Sequence, residues 1–240
     1  MKKTNFPLAN RAETVRMETT LIEEWGLPQL LLMERAALGV AEVVCSLVDP
    51  SVPVTALVGP GNNGADALAV CRLLHERGYS TRAFLVGADP TCAADRTETI
   101  EKQLRWLSLL GIPVESFDSS KRIHGVLLDG LFGFGLSRAP EGDFHAAIEW
   151  ANAQDAIRVA IDLPSGILAD TGTHPGLAIQ ADHTVACGTL KLGLVCDPAL
   201  PFVGTLHGAD IGFPPAFLEA LPGRLLPRPA LPPRKPWAHK

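Results

Sequence analysis

The sequence predicts a doubly wound α/β domain, and three observations support this fold class. Short, almost wholly apolar segments alternate with segments of helical periodicity, which is typical of a parallel sheet covered on both faces. The chain has 240 residues, of which 47% are hydrophobic, and this suffices for one full-sized core. Polar loops directly follow three of the apolar segments, at the sheet edge where such folds bind ligands.

Two helices are predicted ahead of the first strand, over residues 10–25 and 28–48. The second has apolar residues at helical spacing, and Pro28 lies in a favourable first-turn position. Strands and helices then alternate. Strands are predicted over residues 54–58, 81–86, 113–117, 126–129, 158–162, 182–186 and 193–196. Helices are predicted over residues 63–77, 92–110 and 144–153.

Composition excludes several classes of function. A net charge of −5 disfavours a nucleic-acid binder that neutralises phosphates. No run approaches the roughly 18 apolar residues of a membrane span, and the basic first residues precede no apolar signal segment. The five cysteines form no C-x-x-C motif, which predicts neither a disulfide framework nor a zinc site and fits a reducing cytosol. We therefore expect a cytoplasmic protein.

A glycine-rich loop connects the first predicted strand to its helix. Residues 59–66 read GPGNNGAD, so Gly59, Gly61 and Gly64 match G-x-G-x-x-G, a pattern that allows close approach to a pyrophosphate. The helix N-terminus that follows offers N–H groups to an anion. Two asparagines and Asp66 exceed what phosphate binding needs. The alternative is a plain glycine-rich turn whose asparagine side chains cap the helix.

Two carboxylates follow later strands at the same expected edge of the sheet. Asp129 and Asp162 each end an apolar run, where a desolvated carboxylate normally requires a cation or hydrogen-bond donors. The alternative is that each aspartate caps a turn. Residues 133–138 form a second glycine-containing stretch whose N–H groups can bind an anion.

The oxygen-bearing side chains of these loops suit a hard cation. Asn63, Asp129 and Ser165 supply neutral and anionic oxygens without His or Cys, which disfavours zinc and copper. Lys191 stands between glycines and apolar residues. It either points into the site or lies on a surface turn.

Five motifs together resemble the NAD(P)H-hydrate epimerase family, in their order and in their spacing. They are LMERAA at 32–37, GPGNNGAD at 59–66, DGLFGFGLS at 129–137, DLPSG at 162–166 and KLG at 191–193. The resemblance covers roughly residues 10–215. It implies a Rossmann-like three-layer αβα sandwich with a mostly parallel sheet, here preceded by a helical pair.

The resemblance also implies an activity. Family members interconvert the R and S forms of hydrated NADH and NADPH, which carry a hydroxyl at C6 of the reduced nicotinamide, and they typically bind potassium. Carried over by motif, the potassium ligands are Asn63, Asp129 and Ser165. The implied substrate contacts are Asn62, Asn63, Gly64, Ala65, Asp66, Gly133, Phe134, Gly135, Leu136, Ser137, Arg138, Ala139 and Asp162.

Moving a hydroxyl across one carbon requires proton transfer and stabilisation of a cationic or ring-opened intermediate. A desolvated carboxylate can do both, and we predict Asp162 as the acid/base with Asp66 as the second candidate. Ala65 and Ala67 stand where the family usually has glycine. Alanine costs about 1 kcal/mol if either position needs positive φ and nothing in a first helical turn.

The domain organisation predicted from the sequence is an epimerase domain over residues 1–220 and a Pro-rich linker over residues 221–240. The linker resembles the stretch that opens the dehydratase domain of bifunctional bacterial members. The alternative is a single-domain protein with a basic tail. The N-terminal helices either form a homodimer interface or pack on the sheet.

The sequence disfavours two other functions. A non-catalytic nucleotide- or protein-binding module on the same fold is disfavoured, because it has no need to keep buried carboxylates. An NAD-dependent dehydrogenase is disfavoured because no acidic residue ends the second strand.

Overall fold

The structure is a computed structural model that describes residues 6–87 and 97–225. Its strands are β1 (Phe6–Ala9), β2 (Val54–Val58), β3 (Thr81–Leu85), β4 (Val114–Ser116), β5 (His124–Gly130), β6 (Asp155–Ile161), β7 (His183–Cys187), β8 (Leu190–Lys191), β9 (Thr205–Ala209) and β10 (Gly223–Leu225). Its α-helices are α1 (Arg11–Thr19), α2 (Gln29–Leu47), α3 (Asn62–Glu76), α4 (Glu98–Leu109), α5 (Asp143–Asn152), α6 (Leu200–Val203) and α7 (Pro215–Ala220). A π-helix (Thr20–Glu24) continues α1, and 3-10 helices cover Leu192–Val195 and Asp197–Ala199.

Seven of these strands form the main sheet, in the order β4-β3-β2-β5-β6-β7-β9. Every neighbouring pair is parallel, as the sequence predicts. The strand order reverses between β2 and β5, where Val58 pairs with Gly130. In doubly wound sheets the ligand crevice lies at the carboxyl ends of the strands that flank this reversal.

Helices cover both faces of the sheet and make three layers. Val54, Ala56 and Val58 of β2 belong to the core cluster formed with α2 and α3, whereas Leu57 belongs to the cluster formed with α5. Because both faces are buried, each central strand is apolar at successive positions. Helix α2 packs on the sheet and on α3, so in this chain the second N-terminal helix covers the sheet.

A second, three-stranded sheet was not predicted from the sequence. Strand β1 pairs antiparallel with β10 and parallel with β8. These strands are two to four residues long, too short for a period-two pattern. Strand β10 thus pairs with the first strand of the chain from a position just past residue 220. Residues 226–240 of the predicted linker lie outside the described residues.

Other differences concern the ends of predicted elements. The strand predicted over residues 193–196 is wrong, because this segment is a 3-10 helix. Gly193 lies there against the carbonyls of Leu168 and Ala169, where any Cβ would collide. Strand β9 was missed. Helix α4 begins at Glu98 after its N-cap Thr97, and residues 92–96 of the predicted helix are not described. Within the described ranges, no helix is long and apolar enough to cross a membrane.

Candidate active site

A cleft of about 370 Å³ opens at the reversal of strand order. Its floor is formed by the loops that follow β2, β5 and β6, and one wall is formed by α1, the π-helix and α2. The loops that the sequence predicts at one edge therefore do meet there.

The glycine-rich loop after β2 is shaped by packing. A Cβ on Gly59 would collide with the carbonyl of Leu131, and a Cβ on Gly64 would collide with the carbonyl of Gly59. Gly61, in contrast, borders open space and is the N-cap of α3. Gly59 thus allows the loops after β2 and β5 to meet, Gly64 allows the start of α3 to pack against Gly59, and Gly61 leaves room at the helix N-terminus.

The asparagines of this loop do not cap α3, which has no side-chain cap. The capping alternative is therefore wrong. Asn62 is exposed and Asn63 is only 7% exposed, and both line the cleft. The Nδ2 of Asn63 is buried without a hydrogen-bond partner. Native proteins rarely leave such a group unpaired, so it indicates a polar ligand at this point.

Asp129 is satisfied by hydrogen bonds from neutral donors. It is 1% exposed. Its Oδ2 accepts from the backbone N–H of Ser165 (2.7 Å), and its Oδ1 accepts from the Ser165 hydroxyl (2.6 Å) and the backbone N–H of Leu131 (3.2 Å). Burial raises the pKa of Asp129 to about 6, although the Ser165 and Leu131 donors lower it.

Ser165 links the loop after β6 to the loop after β5 by hydrogen bonds. Its Oγ accepts from the backbone N–H of Phe132 (2.9 Å) and lies 3.3 Å from the carbonyl oxygen of Phe132. The carboxylate of Asp129, the Ser165 hydroxyl and this carbonyl form a compact set of oxygens. Hard cations prefer such ligands. No group of three or more His, Cys, Asp or Glu that could hold a metal occurs among the residues that the structure describes.

Asp162 has a charged partner. Its Oδ1 accepts from the Lys191 ammonium and from the backbone N–H of Cys187 (3.2 Å). Lys191 is 1% exposed and also donates to the carbonyl of Cys187 (2.8 Å). Lys191 therefore points into the site, which decides between the two alternatives left by the sequence.

The backbone of Asp162 is unusual. Its φ of 71° is the one positive value at a non-glycine residue in the described ranges. Such backbone strain clusters at functional sites. The other carboxylate oxygen, Oδ2, would lie 3.5 Å from a Cβ on Gly133. Gly133 thus leaves space beside the carboxylate, on the cleft side.

Two further carboxyl groups line the same cleft. Burial raises the pKa of Asp66 well above its ordinary value, and the charges of Asp162 and Glu18 raise it further. Burial also raises the pKa of Glu18 to about 7, against the lowering effect of Lys191. Both groups therefore favour their protonated forms more than free carboxylates do.

Glu18 was missed from the sequence, although a signal was present. Thr14, Met17 and Leu21 form the buried face of the N-terminal helical segment. Glu18 lies on that face by helical spacing. A charged residue on an otherwise buried helix face is the feature that indicates a site there.

The remaining predicted residues fall into two groups. Gly133, Phe134, Gly135 and Leu136 line the cleft, as do Asn62, Asn63, Asp66 and Asp162. Gly64, Ala65, Ser137, Arg138 and Ala139 are not on its lining. Ser137 and Arg138 are exposed, and Gly64 and Ala65 are buried within α3.

Ala65 and Ala67 both adopt helical backbone in α3, and neither has positive φ. Alanine is therefore well suited to both positions. The strained geometry considered for these residues does not occur.

Fold and cleft together define a doubly wound α/β protein with ionisable side chains at its topological switch point. The "YjeF-related protein N-terminus" family matches residues 29–193, and the chain belongs to this family.

Two curated relatives and one solved structure place the chain more closely. It is 39% identical over 202 residues to "NAD(P)H-hydrate epimerase" of Levilactobacillus brevis, with 84% of this chain and 92% of that protein covered. It is 34% identical over 246 residues to "Bifunctional NAD(P)H-hydrate repair enzyme Nnr" of Thermofilum pendens. That alignment covers 97% of this chain and 46% of the relative, so the chain spans about half of that protein. The crystal structure of yeast ynu0 has the same fold, with a TM-score of 0.71, 23% identity, and 88% and 91% of the two chains covered.

Proposed function

We propose that this chain is an NAD(P)H-hydrate epimerase, an isomerase that interconverts the R and S forms of hydrated NADH and NADPH in nicotinamide nucleotide repair. The observation that carries this proposal is the similarity to an epimerase over 92% of that protein's length. The cleft fits the chemistry, because several carboxyl groups with different hydrogen-bond partners line it together.

Epimerisation at C6 requires one bond to that carbon to break and to re-form on the opposite face. If the ring opens, the hydroxyl loses its proton to a base, the N1–C6 bond breaks and its electron pair goes to N1. N1 then takes a proton from an acid. If water leaves instead, an acid protonates the hydroxyl and a base later deprotonates the incoming water. Either course needs one acid and one base within reach of C6.

Asp162 and Asp66 are assigned these two roles. Asp162 is the base, because its Oδ1 is hydrogen-bonded to Lys191 while its Oδ2 is directed at the space beside Gly133. Asp66 is the acid, because burial and neighbouring negative charge raise its pKa. Pairs of titratable groups whose environments differ in this way are typical of acid/base assignments.

The nucleotide part of the substrate is proposed to bind along the N-terminus of α3 and the loop after β5. The uncapped N-terminus offers backbone N–H groups to the pyrophosphate. Asn62, Asn63 and the loop residues Gly133–Leu136 border this path. On this basis we assign the substrate contacts to Asn62, Asn63, Asp66 and Gly133–Leu136.

The proposal includes a potassium ion held by Asn63, Asp129 and Ser165. One carboxylate among neutral oxygens matches a monovalent hard cation. Burial raises the pKa of Asp129, and a bound cation would offset this effect by stabilising the carboxylate. The carbonyl oxygen of Phe132, next to Ser165, completes the set of donors. Bound there, the ion supplies fixed positive charge that orders the loops after β5 and β6.

A second catalytic domain is part of the proposal. The relative from Thermofilum pendens is named bifunctional and is about twice as long as this chain. We propose that the epimerase acts with a dehydratase that uses one epimer, with residues 221–240 as the connection where the two are fused.

The test is direct measurement of epimer interconversion. One purified epimer of hydrated NADH is incubated with the protein and potassium chloride, and the approach to the epimer mixture is followed by chromatography against the spontaneous rate. Acceleration in proportion to protein concentration is expected. A rate equal to the spontaneous one, while hydrated NADH still binds, would overturn the proposed activity.

A further inference from the structure

The carboxyl group of Glu18 enters the cleft from outside the α/β sheet. Glu18 lies near the end of α1, and Ile22 of the following π-helix lines the same wall. A π-helix is rare and occurs frequently at functional sites. Here the backbone N–H of Trp25 bonds to the carbonyl of Thr20 (3.0 Å), which closes the π turn that follows Glu18.

Glu18 faces the groups proposed for catalysis. The charges that act on it are those of Lys191 on β8 and Asp162 after β6. Asp66 on α3 is in turn affected by Glu18, Asp162 and Lys191. The thiol of Cys187 on β7 faces the same groups, and burial raises its pKa so that it stays neutral. The cluster therefore holds three acids and one ammonium.

A group of three acids with one cation does not ionise completely, because like charges in a buried site disfavour one another. The cleft also contains the buried, unpartnered Nδ2 of Asn63, which independently indicates that a polar ligand binds there. The acids are thus next to a ligand position and are not only part of a structural ion-pair network.

We propose that Glu18 is a positioning residue for the epimerase reaction. Its negative charge, brought in by the N-terminal helix, holds the proton on Asp66, while the Asp162 carboxylate accepts a hydrogen bond from Lys191. The inference rests on the proposed function. It adds a residue that helps to keep the proton on Asp66 without touching the reacting carbon.

The directions of the two pKa shifts support this role. Burial raises the pKa of Glu18 to about 7. The pKa of Asp66 is raised by burial and then further by the charges of Asp162 and Glu18. Where Glu18 is ionised, its charge therefore opposes ionisation of Asp66. The effect of Glu18 must appear above neutral pH and vanish below it.

The experiment compares the pH profile of kcat/KM for the wild type and Glu18→Gln. We expect the two profiles to coincide near about pH 6, where Glu18 is uncharged in the wild type. Above neutral pH we expect the alkaline limb of the variant to lie about one pH unit lower, which is about a tenfold loss at the alkaline end. Glu18→Asp, which keeps the charge, should restore the limb.

The matched control is Glu23→Gln. Glu23 is exposed on the same helical segment and does not line the cleft, so its profile should superpose on that of the wild type. An equal loss for Glu18→Gln at every pH would indicate a purely structural role and would overturn the inference. So would a variant profile identical to that of the wild type.

A second readout does not depend on activity. The carboxyl carbons of aspartate-labelled protein are titrated by NMR, with the Asp66 resonance assigned by its absence in Asp66→Asn. We expect Asp66 to titrate at lower pH in Glu18→Gln than in the wild type, and an unchanged titration would overturn the inference. If this shift is seen in a protein that does not epimerise the substrate, the proposed function fails while the coupling of Glu18 to Asp66 stands.

Discussion

Asp129 and Asp162 hold similar positions in the sequence but lie in very different electrostatic environments. Asp129 is the penultimate residue of β5 and Asp162 directly follows β6 at the same edge of the sheet, and each is almost fully buried. Asp129 is surrounded by neutral donors from Ser165 and Leu131. Asp162 is paired with the buried ammonium of Lys191.

This difference assigns the two carboxylates to different kinds of partner. Burial raises the pKa of Asp129 to about 6 although neutral donors surround it, so a cation beside it would favour its carboxylate form. A carboxylate that already has an ammonium beside it needs no metal and can exchange a proton with a ligand through its other oxygen. The comparison shows that the hydrogen-bond partners of a buried aspartate, more than its position at the end of a strand, determine its role.

The largest effect is expected from Asp162→Asn. Asparagine tolerates the positive φ of this position and keeps the side-chain shape, but it does not accept a proton. We expect kcat to fall about 10³-fold, within the usual range for removal of a general acid or base, while the dissociation constant for hydrated NADH changes little. The measurement is the epimerisation assay together with a binding titration.

Asp155→Asn is the matched control for this prediction, since Asp155 is exposed at the opposite end of the same strand β6. It should retain wild-type turnover. Normal turnover in Asp162→Asn would remove the assigned base and, with it, the contrast with Asp129.

Lys191→Met should have the next largest effect, on stability. It leaves Asp162 buried and unpaired, which typically costs about 3–5 kcal/mol in the free energy of unfolding. Urea unfolding measures this loss, and the double variant with Asp162→Asn should be less destabilised than the sum of the two single variants. Lys102→Met is the control, because Lys102 pairs with Glu98 at the surface and such pairs contribute about 0.5 kcal/mol. Additive behaviour of Lys191 and Asp162 would contradict the pairing.

The fold was largely predictable because the signals that specify it are local. Apolar runs such as Val54–Val58 are long enough to indicate a strand buried on both faces, and the loops after them follow directly. The small sheet of β1, β8 and β10 was not predictable in this way. Its strands are two to four residues long, and their partners lie far away in the sequence.

Ser165→Ala tests the other half of the comparison. It removes the hydroxyl that joins Asp129 to the loop after β5, and we expect a loss of about 1–3 kcal/mol in the free energy of unfolding. If Asp129 is a potassium ligand, the rise in Tm on replacing choline chloride with potassium chloride should also shrink or vanish.

Ser120→Ala provides a matched surface pair for this variant. The hydroxyl and N–H of exposed Ser120 both donate to Asp118, much as Ser165 does to Asp129. It should neither destabilise the protein comparably nor change the response to potassium. An equal potassium response in the wild type and Ser165→Ala would argue against the proposed ligand set.

The site was less predictable than the fold, for a physical reason. Motif spacing locates Asp129 and Asp162 at one edge, but their opposite electrostatics depend on which distant side chain arrives beside each of them. Lys191 reaches Asp162 because β8 pairs with β1, a contact without a sequence signal. Glu18 reaches the cleft from α1, which contributes to its lining. Ion pairs between distant elements depend on tertiary packing, so local sequence patterns do not predict them.

The smallest expected effect concerns Asp66, a third carboxyl that sharpens the comparison. Its pKa in the folded protein is raised by burial and by neighbouring negative charge, whereas in the unfolded chain it is ordinary. Folding therefore favours the protonated form, and stability contributed by this group is lost as the pH rises above the unfolded value of about 4.

Asp66→Asn removes that loss. We expect its Tm to match the wild type near about pH 4 and to exceed it by a few degrees above neutral pH, measured by thermal unfolding in a pH series, with Asp155→Asn showing no such divergence. A Tm gain that is the same at all pH values would mean that ionisation of Asp66 does not oppose folding, and the carboxyl would then be no better an acid than an exposed one.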